Sequence, residues 1–225
     1  MRIRTTIISL SCLMFCVIAR GDTSIFSETY SLLSKKENIS DNILEKLDNI
    51  GNQESVSLED RLVSKVLVAA VLSSRDVDSL TKRSIEICDQ VIQENSDTWQ
   101  ADYLRFARLA NYGLLGNSEQ QIPLAIGALK EINFTRLNSE KHDYLNMLRE
   151  NFGFSGEKVH QEILLMLGNA YRETGSFDEA QKTYQQIENE AEKEHLLKQV
   201  EYFRGKYVQS KEEGILPESN SLGRE

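Results

Sequence analysis

The chain has 225 residues and a formal charge of −9, with 40% hydrophobic and 27% charged residues, and proline only at positions 123 and 217. The acid excess repels phosphate and no Lys/Arg cluster interleaved with aromatics occurs, which excludes nucleic acid as a partner. Glycine is sparse and no period-two run of β-branched residues survives beyond the first twenty residues, so the class is all-α.

Residues 1–21 read as a secretory signal peptide: Arg2 and Arg4 precede the uncharged run 5–19, and small Ala19 and Gly21 flank Arg20 before Asp22. A 15-residue helix rises about 22 Å, short of the roughly 30 Å hydrocarbon core, so cleavage before Asp22 is expected and the product is secreted or periplasmic. The alternative is a membrane-tethered structural component of the cell envelope, with this segment uncleaved and serving as the sole membrane contact. Neither Cys12 nor Cys16 has the preceding residues of a bacterial lipoprotein signal. Cleavage removes both and leaves Cys88, on an apolar stripe, as a buried inert thiol with no disulfide partner. Loss of Arg2, Arg4 and Arg20 takes the charge from −9 to −12.

Residues 22–56 form an N-terminal helical segment, with short helices at 24–34 and 40–50 and a polar loop at 51–57. Ser57 opens a longer helix that packs Leu62, Val63, Val66, Leu67, Ala70 and Val71 inward, and residues 73–76 break it. Its partner carries Leu80, Ser84, Ile87, Cys88 and Val91. A helix at 99–112 follows, with Tyr103, Phe106, Ala107 and Ala110 buried, then a turn at 113–117. Ser118 and Gln121 suggest a capping box, but Pro123 lacks an N–H, so the next helix can start nearer Gln121; that boundary stays open. Leu124, Ala125, Ala128 and Leu129 are its core face. Ser139 is expected to cap a short helix carrying Tyr144, Leu145, Leu148 and Phe152. Sequons stand at Asn38 and Asn133 and matter only in a glycosylating pathway.

The most informative stretch is 164–184. Ile163, Met166, Leu167, Ala170 and Tyr171 recur at helical steps, Gly175 can close the helix in the left-handed conformation, and Ser176 with Glu179 makes a capping box for a second helix. The second stripe is Phe177, Ala180, Tyr184 and Ile187, and small Ala180 lets the two axes approach. Leu164, Leu167, Gly168, Tyr171, Ala180 and Tyr184 fall at the spacings of the tetratricopeptide repeat, and the segment resembles that family. It departs from the pattern at Leu164, where the opening Trp would stand, and at Glu192, where the closing Pro would stand. The resemblance implies an irregular TPR-like α-solenoid of antiparallel helix pairs over 57–211, with 161–194 its clearest repeat. Ser84 and Ala180 stand at comparable places 96 residues apart, no multiple of the 34-residue period, so the array is interrupted near Tyr144. Leu196, Leu197, Val200, Phe203 and Tyr207 mark a C-terminal capping helix, and 212–225 is expected to be a disordered tail.

No phosphate loop, paired-His motif or nucleophile elbow occurs, so no catalytic residue, metal or cofactor is assigned. His142, His160 and His195 read as structural or exposed; a hydrolase built on His142 or His160 would need a second titratable group beside it in a cleft. The resemblance implies a binding scaffold whose partner, a protein or peptide, meets the first helix of a pair on the face opposite its packing stripe. Here that face presents Glu162, Leu165, Asn169, Arg172 and Glu173. Asn169 can bond a peptide backbone, and Arg172 can grip a carboxylate.

Overall fold

The computed structural model of the protein describes residues 23–35, 39–75 and 77–212. The signal-peptide segment, the sequon at Asn38 and the tail from residue 213 lie outside them. The described residues form eleven helices and no strand: α1 (Thr23–Lys35), α2 (Asp41–Asn52), α3 (Leu58–Ser74), α4 (Asp78–Glu94), α5 (Trp99–Leu114), α6 (Ser118–Glu131), α7 (Phe134–Ser139), α8 (Asp143–Phe152), α9 (Gly156–Glu173), α10 (Phe177–Tyr184) and α11 (Glu190–Glu212). Residue 212, expected in the tail, ends the last helix.

Helix starts follow local chemistry. Ser57 accepts from the Asp60 N–H at 3.1 Å, Thr98 from Ala101 at 3.2 Å, and Ser155 from Lys158 at 3.2 Å, each satisfying an orphan donor of a first turn. Asn117 does the same for α6 by accepting from Gln120, so that helix opens at Ser118 and carries Pro123 inside it. Proline is tolerated because it stands exposed near the start, where water can take the Glu119 carbonyl that it leaves without a donor. Gln121 does not complete a box; its side-chain amide is buried and donates to the Leu109 carbonyl at 3.2 Å. Ser176 stands at the start of α10 without a side-chain cap bond, and Ser139 ends α7 instead of opening a helix, its hydroxyl donating to the Thr135 carbonyl.

Neighbouring helices pack in order: α2 on α3, α3 on α4, α4 on α5, α5 on α6, then α6 on α9, α9 on α10 and α10 on α11, with α3 also meeting α5 and α5 meeting α9. Helix α9 packs directly on α6, although α7 and α8 lie between them in sequence. Helix α3 buries almost its whole circumference, including Val68, Ala69 and Leu72, because α1, α2, α4 and α5 surround it. In α5 the fully buried apolar positions are Ala101, Leu104 and Leu109, while Tyr103, Phe106 and Ala107 are only partly covered.

Small side chains fix the closest approaches. The Ser84 hydroxyl donates to the Ala69 carbonyl at 2.9 Å and accepts from Asn111 Nδ2 at 2.9 Å, tying α3, α4 and α5 together. Cys88, fully buried beside this seam, has its thiol pushed up to about 12, by burial first and then by the Asp89 charge. Gly168 faces the buried ring of Tyr184; a Cβ there would overlap Cε1 and stand 2.7 Å from Cδ1. Gly175 adopts φ 80°, the left-handed conformation that ends α9.

Sequence patterning gives no role to the polar knot that holds α7. Asp102, wholly buried, accepts from Arg105 Nη1 at 3.1 Å, Arg136 Nε at 3.0 Å and the Asn133 N–H at 3.3 Å. Arg136 reaches on to Asp97 at 2.7 Å. Burial pushes the Asp102 carboxyl up, while the Asn133 N–H and the two guanidiniums pull against that rise.

Gly168→Val is expected to destabilise the fold by about 1–3 kcal/mol, since the added carbons meet the Tyr184 ring. Thermal unfolding followed by circular dichroism should show a melting temperature lower by several degrees, at roughly 2–4 °C per kcal/mol for a chain of this size. An unchanged midpoint contradicts the close approach of α9 and α10.

Candidate functional site

Helix α9 turns Val159, Ile163, Leu164, Leu167 and Ala170 into the core. Residues at 158, 161, 162 and 165 differ by three and four, so they line up on another face. The connection after α10 runs beside that face. Its Ile187 is 3% exposed and packs with Leu164, Ala180, Tyr184, Leu196 and Val200, and the Glu188 N–H donates to Gln161 Oε1 at 3.0 Å. Asn189 Oδ1 then accepts from the Glu192 N–H at 3.1 Å and starts α11.

Between these elements lies a groove of about 410 Å³. Leu165 and Ile187 supply its apolar surface; Glu162 stands on the α9 side, Glu188 and Glu192 on the other, with Lys158, Gln161 and Asn189 completing the lining. Glu162 is half-buried, and its carboxyl is pushed up by burial first and by the Glu192 charge, against the pull of Lys158. A site with a small apolar surface and charged rims can hold an extended segment by side-chain burial and ion pairing.

Of the five residues expected to face a ligand, Glu162 and Leu165 line the groove. The other three have partners within the chain. Glu173 accepts from the Ser118 hydroxyl. Asn169 Oδ1 accepts from the Tyr184 hydroxyl at 2.7 Å. Arg172 is 7% exposed, donates to Gln199 Oε1 at 2.5 Å and holds its guanidinium 5.2 Å from the Phe203 ring centroid, so it anchors α11. The cause is tertiary: the start of α6 reaches Glu173, Tyr184 of α10 reaches Asn169, and α11 meets Arg172. The linings contributed by Ile187, Glu188, Asn189 and Glu192 carried no signal in the sequence for the same reason, whereas Lys158 and Gln161 were within reach of the spacing that selects Glu162 and Leu165.

A second hollow, of about 370 Å³, lies at the starts of α3 and α5, lined by Leu58, Glu59, Leu62, residues 97–100, Arg136 and Glu140. Trp99 is 4% exposed, and its Nε1 is buried without an acceptor among the described residues. His142 packs against the Trp99 ring with centroids 5.3 Å apart and pairs with Glu59 at 3.0 Å. His160 meets the Phe134 ring edge-on at 5.2 Å, and His195 lies beside Gln199. Among the described residues no group of three or more His, Cys, Asp or Glu could hold a metal ion, and no helix is long and apolar enough to cross a membrane.

No family model, curated protein or solved structure matches this chain.

Arg172→Ala is expected to lower stability by about 1–2 kcal/mol through loss of the Gln199 hydrogen bond and the stacking on Phe203. Denaturant unfolding measures it, and an unshifted midpoint contradicts the anchoring role. Glu162 gives a pH signature. Its folded-state pKa lies above the unfolded one, so its unfavourable contribution is absent below the unfolded value and complete once pH exceeds the folded value. Glu162→Gln should therefore raise the melting temperature at pH 7 and have a smaller effect near pH 4; a pH-independent difference contradicts it.

Proposed function

We propose that the chain is an exported, TPR-like helical-repeat scaffold that takes up a protein or peptide segment in the groove between α9 and the start of α11, with no catalytic chemistry of its own. The observation that carries this reading is the groove itself: Leu165 and Ile187 lie between carboxylate rims on the helix face that the repeat resemblance marks for ligand contact. Both walls belong to packed helices, α9 through its core stripe and α11 through Leu196 and Val200, so little ordering is needed when a segment enters. Residues 1–21 support export, and the half-buried Leu165 supports recognition by burial of an apolar side chain, worth about 1.5–3 kcal/mol when complete.

Panning a peptide-display library against the chain, with Leu165→Arg as the counter-target, tests the proposal. The expected result is a set of peptides that bind the parent chain and lose binding to Leu165→Arg at an unchanged melting temperature. Failure to obtain any peptide sensitive to that substitution overturns it.

A further inference from the structure

Three carboxylates border the groove, from Glu162, Glu188 and Glu192, against the single ammonium of Lys158. None of the three has an ion-pair partner within 4.0 Å among the described residues; some surface acids share that state, Glu45 and Glu86 among them, and others are paired. Asp41 pairs with Arg75, Asp89 with Arg108, Asp97 with Arg136 and Asp178 with Arg204, each at 2.6–2.8 Å. Arg172, the guanidinium that sequence reasoning offers to an anionic ligand, is buried against Gln199 and Phe203 and is absent from the groove lining. The groove lining therefore carries three carboxylates against one ammonium, with Glu188 and Glu192 exposed and Glu162 half-buried, alongside the apolar surface of Leu165 and Ile187.

We infer that the segment held here is a cationic peptide stretch, which sets an arginine or lysine between Glu162 and the Glu188 and Glu192 carboxylates and lays a neighbouring aliphatic side chain on Leu165 and Ile187. This rests on the scaffold reading above and names the chemistry of its partner. Arginine suits the place best, because its planar fork can bond carboxylates on two sides at once while its stem covers apolar surface. Burial of Glu162 beside Glu192 raises the cost of charge at that site, and an incoming cation offsets the cost, so the groove is better matched to an occupied than to an empty state. The net charge of −9 attracts such a segment from a distance and makes its capture salt-dependent.

The test is fluorescence anisotropy on the full chain with three labelled nonapeptides of Gly and Ser, carrying at their centre Arg-Leu-Arg, Gln-Leu-Gln or Glu-Leu-Glu. The Arg peptide should bind, weaken as salt is raised, and weaken by about tenfold or more against Glu162→Gln/Glu192→Gln, while the Glu peptide does not bind. Since Glu162→Gln is expected to stabilise the fold, weaker binding by the double variant is not a consequence of unfolding. Equal binding of the Arg and Gln peptides, or an Arg-peptide affinity indifferent to the double substitution, overturns the inference. Failure of all three peptides also overturns it; the scaffold reading then stands if library panning still yields peptides sensitive to Leu165→Arg, and falls with it if panning yields none.

Discussion

The absence of a side chain at position 168 is the constraint on which the C-terminal half of the molecule depends. Tyr184 can lie flat on α9 only because nothing projects from Gly168, and its hydroxyl then reaches Asn169. That contact sets how closely α10 follows α9. The closeness in turn places Ile187 over Leu164 and directs the chain into α11 beside the first turns of α9, where the groove forms. A void between α9 and α10 would move the groove's far wall as a body, since packed interiors transmit displacement instead of absorbing it.

Polar atoms play the corresponding part in the N-terminal half. Ser84 is small and wholly buried, as Ala180 is, and its hydroxyl also bonds backbone and amide groups of the two flanking helices. Farther along, the charged knot around Asp102 clamps α7 to α5 and to the residues before it, so that an inserted element is held without displacing α9 from α6. Removing one member of such a knot leaves buried charge uncompensated, so the knot is sensitive to single substitutions.

Much of this was legible in the sequence and the remainder was not, for physical reasons that differ by residue. Periodicity found the helix pairs because an apolar stripe repeats locally, and Gly175 announced the end of α9 because few other residues take its φ. Ser57 was readable as a start because a cap needs only its own neighbours. By contrast, α7 is six residues long, too short for a stripe to repeat, and Ser139 looked like a cap although it closes that helix. The candidate site divided in the same way. Glu162 and Leu165 follow from spacing on one helix, whereas the opposite wall at 187–192 and the burial of Arg172 depend on where a distant segment folds back, which no local pattern encodes.

The docking of α11 through Arg172 has a consequence for the groove. Among the described helices α11 is the last; it packs on α10, buries Leu196 and Val200 in the cluster that includes Leu164 of α9, and takes the Arg172 guanidinium against Gln199 and Phe203. One groove wall therefore rests on contacts made farther along the same helix, at Leu196, Gln199, Val200 and Phe203. Substitutions outside the groove lining, such as at Gln199 or Phe203, are therefore expected to shift that wall without altering any residue that lines the groove.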